Sequence, residues 1–71
     1  LILDIIHAYK EVRKIDTISS SPVGSQHIVF ITICLDGNMP TFESHKLAND
    51  IEETVSNLDN IYKTIVHVEP T

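Results

Sequence analysis

His67-Val68-Glu69, near the end of the chain, sets an imidazole and a carboxylate two residues apart. On a strand, residues i and i+2 point to the same face, about 6–7 Å apart along the backbone. Donors so placed can converge on one divalent ion at about 2.0–2.2 Å. The same spacing also suits a solvated strand end with no ligand, and two donors alone do not fix a metal. Two further candidates are His45, at the boundary between the apolar and polar faces of a helical stretch, and Asp16, an acidic residue inside a strand-like run. A carboxylate in that setting is unfavourable unless its face is wet or it meets a cation. Cys34 is either a soft donor or a small core hydrophobe. His7, Glu52 and Glu53 read as surface residues, as does His27 at a strand entrance, which stays as an additional donor candidate.

No enzyme signature accompanies these residues. The only glycines are Gly24 and Gly37, so there is no glycine-rich phosphate loop, and neither a nucleophile elbow nor a paired-cysteine zinc motif occurs. A Cys-His nucleophile pair is available in composition, but nothing marks Cys34 as activated. The chain is therefore not read as an enzyme.

With 71 residues, the donors must be held by one small domain. A chain of this size buries only about 60% of its unfolded surface. Stability then calls for a disulfide, a metal or a partner subunit, and the single cysteine excludes an intrachain disulfide. A hydrophobic content of 42% marks a folded domain. Ten acidic against five basic residues give a net charge of −5, which disfavours nucleic acid and anionic lipid as nonspecific partners. The longest apolar run, Ile28 to Leu35, is far short of the ~20 residues of a membrane span, so no direct membrane insertion by this segment is expected. The chain opens at Leu1 without Met and without a signal-peptide pattern. The expectation is a single domain, 1–71, excised from a longer protein.

Leu1 to about Lys10 has the apolar spacing of an amphipathic helix. Val12 to about Ser19 reads as a strand, and Ser19 to Ser25 as a turn rich in Ser, Pro and Gly. His27 to Leu35 is the clearest strand, apolar on both faces, so both faces are expected to be covered, the second by another subunit. A helix over 41–57 places Leu47, Ala48, Ile51, Val55 and Leu58 within a stripe about 100° wide. Ile61 to Glu69 alternates as a third strand. The order α-β-β-α-β, with an antiparallel hairpin and a helical crossover, predicts a two-layer α+β sandwich similar to a ferredoxin-like fold lacking its first strand.

The motif order is informative in its own right. An apolar strand leads to Asp36-Gly37-Asn38-Met39-Pro40, then to the helix segment Glu43-Ser44-His45-Lys46-Leu47-Ala48-Asn49-Asp50-Ile51-Glu52, and the last strand ends His67-Val68-Glu69-Pro70. Over nearly all 71 residues this resembles the cytoplasmic C-terminal domain of cation diffusion facilitator transporters. The resemblance implies a metallochaperone-like fold, a V-shaped homodimer, and divalent metal bound near the dimer interface to regulate transport. It also implies a location on the cytoplasmic face of a membrane, with the transmembrane transport domain before Leu1. His45 matches the family's helix histidine, and His67 and Glu69 match its ligands on the last strand. Asp16 falls where some members place a histidine, and Thr32, two residues before Cys34, falls where some zinc-binding members carry another. That departure speaks against a full zinc-type dinuclear site and for a weaker, more carboxylate-rich one. Such a site suits Fe²⁺ or Mn²⁺ better than a histidine-rich site would, with Zn²⁺ kept as a third candidate. The iron-loading magnetosome branch and the manganese branch both stay open.

The implied device is a charge-coupled switch. Acidic protomers repel across a groove, and a cation held by Asp16, His45, His67 and Glu69 favours a closed dimer that promotes metal/proton antiport. The alternative from another class is a metal-independent oligomerisation or small-ligand regulatory domain, since ferredoxin-like folds host many unrelated tasks.

Overall fold

The computed structural model describes residues 1–71, with the order α1 (Ile2–His7), β1 (Lys14–Val23), β2 (Gln26–Leu35), α2 (Thr41–Ser56) and β3 (Ile61–Pro70). The three strands form one sheet in the order β1-β2-β3. β1 and β2 are antiparallel and β2 and β3 parallel, the parallel pairing being what a helical crossover permits. The expected α+β sandwich is present. α1 is shorter than its apolar run. Beyond His7 the chain tightens into three-residue bonds, Ala8 N–H to Ile5 O and Tyr9 N–H to Ile6 O, and enters the sheet where Arg13 N–H meets Cys34 O at 2.9 Å.

The largest difference from the sequence reading lies at the hairpin. Ser19–Val23 is strand, and only Gly24 and Ser25 form the turn. β2 offers a backbone partner to every residue of the serine stretch, from Ser19 beside Phe30 to Val23 beside Gln26. Those ladder bonds outweigh the local turn preferences of Ser and Pro. Pro22 is tolerated because β1 is an edge strand. Gly24 takes a φ of 61° at the first position of a two-residue loop, where a glycine fits the right-handed twist of the hairpin.

Both helices pack on one face of the sheet. Ile6 of α1, Leu47, Ile51 and Val55 of α2, and Val29, Ile31, Ile33 and Leu35 of β2 form a single core. From β3, Thr64 is buried and Val66 and Val68 pack against that core. The opposite face carries Ile28, Phe30, Thr32 and Cys34 of β2, and no element of the protomer covers it. Phe30 remains 40% exposed and its neighbour Ile65 39%. Cys34 is the exception, buried on that face at 9%. α2 begins after Pro40 and stops at Asn57, and Asn60, at φ 68°, turns the chain into β3.

Two substitutions test this arrangement. Gly24→Ala keeps open space around its new methyl group but forces a left-handed backbone. It should cost about 1–2 kcal/mol, read as a lower urea midpoint at unchanged slope. Thr64 Oγ1 is buried without a hydrogen-bond partner, so Thr64→Val should stabilise the domain by about 1 kcal/mol in the same assay.

Candidate metal centre

The register of β2 and β3 places the donors. His67 lies beside Thr32 and Glu69 beside Cys34, on the face away from the helices. His67 Nε2 and Glu69 Oε2 are 3.4 Å apart, with both side chains more than half exposed. Ligand atoms about 2.0–2.2 Å from a tetrahedral ion lie roughly 3.3–3.6 Å from one another, whereas octahedral neighbours lie closer, at about 2.8–3.1 Å. The pair is thus spaced as one edge of a tetrahedral site. The same distance suits an imidazolium–carboxylate ion pair, so a proton and a metal would compete for the imidazole.

The other candidates are placed differently. Asp16 occupies a bulge in β1, the register skipping it between Ile15 beside Ile33 and Thr17 beside Thr32. β2 separates it from His67, a gap of two strand spacings or about 10 Å. His45 sits on exposed helix surface and, with Glu52, Val66 and Val68, lines a cleft of about 240 Å³ between α2 and β3. That cleft lies between α2 and edge strand β3, and His67 and Glu69 are not among the residues that line it. His27 pairs with Ile61 at the far end of β2, five residues and about 17 Å from Thr32. Thr32 and Cys34 are the candidates that adjoin the pair. No group of three or more His, Cys, Asp or Glu side chains in the protomer is arranged to hold a metal ion. The protomer alone therefore supplies two converging donors, and Asp16 and His45 reach such an ion only from a second copy or after rearrangement.

Neighbouring charges are few. Lys14 is in register with Cys34, one strand beyond Glu69 on the same face, and Arg13 is engaged by Asp36 at 3.1 Å. Glu52 departs from the sequence reading, which left it on solvated helix surface. It is half-buried, and its Oε2 accepts the Val66 N–H at 2.9 Å. The available signal was its place on the wheel, one turn after buried Ala48 at the border of the apolar stripe.

The sequence family described as "Cation efflux protein, cytoplasmic domain" matches residues 1–71. Metal tolerance protein 7 of Oryza sativa subsp. japonica is 30% identical over 61 residues, which is 86% of this chain and 16% of that protein. The chain therefore spans a small part of that curated relative. Among solved structures, the metal-bound C-terminal domain of the CzcD transporter from Thermotoga maritima superposes with a TM-score of 0.89 at 24% identity, covering 97% of this chain and 81% of that one. A cadmium form of a MamM C-terminal domain variant gives a TM-score of 0.87 at 17% identity, covering 99% and 89%. At these identities the structural likeness concerns the fold. No helix of this chain is long and apolar enough to cross a membrane.

An exposed ion pair adds little to stability, about 0–1 kcal/mol. His67→Ala and Glu69→Ala should therefore each shift the unfolding free energy of metal-free protein by less than about 1 kcal/mol, measured by urea denaturation in EDTA. A larger loss would mean that the pair is structural.

Proposed function

The chain belongs to the family of cation efflux protein cytoplasmic domains, and from that premise we propose that it is the dimerising regulatory domain of a cation diffusion facilitator. In this reading residues 1–71 form one domain on the cytoplasmic face of a membrane. The transmembrane transport domain precedes Leu1, and two copies form a V-shaped homodimer. The domain's task is regulation of transport rather than catalysis. The observation that carries the metal assignment is the 3.4 Å His67–Glu69 pair, open to solvent and spaced for a tetrahedral ion. Zn²⁺, Fe²⁺ and Mn²⁺ are the candidate ions of this reading.

Asp16 and His45 are the further donors in this proposal, contributed to the groove between copies. Each copy carries a net charge of −5, so approach of the two is opposed electrostatically. Glu69 and Asp16, neutralised by a divalent cation, no longer contribute to that repulsion, and the closed arrangement gains in proportion to its extra affinity for the ion. Closure relayed to the membrane domain would promote metal/proton antiport. The open sheet face, with Phe30 and Ile65 exposed, favours one second reading, a dimer that assembles without metal.

Calorimetric titration of Zn²⁺ into reduced, metal-stripped domain, alongside small-angle scattering, separates the two. Saturable binding is expected, about tenfold or more weaker in His67→Ala, with compaction of the wild-type dimer only. Affinity should fall on acidification, because protons compete with the metal for its donor atoms. Equal binding by wild type and His67→Ala, or compaction that ignores zinc, would overturn the metal switch. A dimer that persists in EDTA without a zinc response would install the second reading.

A further inference from the structure

β3 lies at the edge of the sheet, so half of its backbone N–H and C=O groups face no strand. Such groups are ordinarily left to water or covered by another element. At Val66 the structure does something more specific. The carboxylate of Glu52, reaching across from α2, accepts the Val66 N–H at 2.9 Å. A bond to an ionised acceptor is shorter and stronger than a neutral one, and this one is partly shielded from solvent. Val66 also points its side chain toward the core and lies in register with Ile31. The residue immediately before His67 is thus fixed from two sides, by the core and by α2.

The other contacts near the metal pair do not do this. Thr32 and Cys34 adjoin His67 and Glu69 through the ladder, which sets the height of β3 beside β2 but leaves the outward backbone groups of its edge without a strand partner. A local change of backbone twist around residues 66–69 is the motion that would alter the spacing of imidazole and carboxylate, since a rigid roll would turn both together. Glu52 opposes that change at the nearest outward backbone group.

We infer that Glu52 is a positioning residue for His67. Its carboxylate pins the edge strand through the Val66 amide, holds His67 and Glu69 at ligand spacing, and ties the pair to the helix that carries His45. The inference rests on the metal-binding reading above. Glu52 does not touch the ion and acts through the backbone alone. Glutamine, which keeps a carbonyl oxygen at the same reach, should preserve most of the effect, whereas alanine should abolish it.

The test compares wild type, Glu52→Gln, Glu52→Ala, His67→Ala and the Glu52→Ala/His67→Ala double variant, each confirmed folded by its thermal transition. Amide hydrogen exchange of Val66 in metal-free protein should quicken about tenfold or more in Glu52→Ala, from loss of a charge-assisted bond, and much less in Glu52→Gln. Zinc affinity should fall about tenfold in Glu52→Ala, the lower end of the effect of outer-shell partners, and return toward wild type in Glu52→Gln. In the His67→Ala background, Glu52→Ala should cause no further loss. Wild-type zinc affinity in Glu52→Ala, unchanged Val66 exchange, or a full additional loss in the double variant would each overturn the positioning role while leaving the metal site standing. Failure of wild-type protein to bind zinc would overturn the metal reading and the positioning role with it.

Discussion

A sheet of three strands with helices on only one side has to choose which of its residues are buried, and β2 makes that choice for the whole domain. Val29, Ile31, Ile33 and Leu35 all lie at 2% exposure or less against α1 and α2. Because side chains alternate across a strand, burying this set sends Ile28, Phe30, Thr32 and Cys34 to the other face. The parallel ladder then carries Ile65, His67 and Glu69 with them. A slip of one residue would drive the imidazole and carboxylate into the core and turn Val66 and Val68 outward, so the hydrophobic register that stabilises the domain also fixes where its donors stand. The exposed apolar patch and the His67–Glu69 pair share a face for the same reason.

Much of this was legible because the signals were periodic. Alternation through β2 and β3 and the stripe of α2 gave the elements, their order and the common face of His67 and Glu69. The serine stretch was less legible: its composition speaks for a turn, and only the ten-residue length of β2, with a partner for each residue, shows why it pairs instead. Asp16 was legible as an anomaly, a carboxylate in a strand. Its resolution as a bulge depends on how the register of β1 closes against β2, which no local pattern encodes. Glu52 was misread because the helical wheel describes one helix at a time. The group it satisfies belongs to a strand fourteen residues further on.

The separation of the four ligand candidates also has a topological cause. His45 rides on α2, which must cover the sheet, while His67 and Glu69 project from the face that α2 leaves bare. Asp16 lies on the opposite edge strand, with β2 between. A single copy of this fold does not bring all four together around one ion in this conformation.

Two donors at tetrahedral spacing leave two positions of such an ion to be filled by water or by a second copy. In the proposed reading a second copy fills them, and metal affinity and dimer closure then become one equilibrium. Whatever factor the ion contributes to closure, closure must return to the affinity for the ion. The net charge of −5 on each copy acts within that same cycle: it weakens the metal-free closed state and leaves a larger share of the closing free energy to come from the cation. On that reading, an acidic protomer with a half-built site would be better suited to sensing than a neutral one with a complete site, which would saturate in either arrangement and shift nothing.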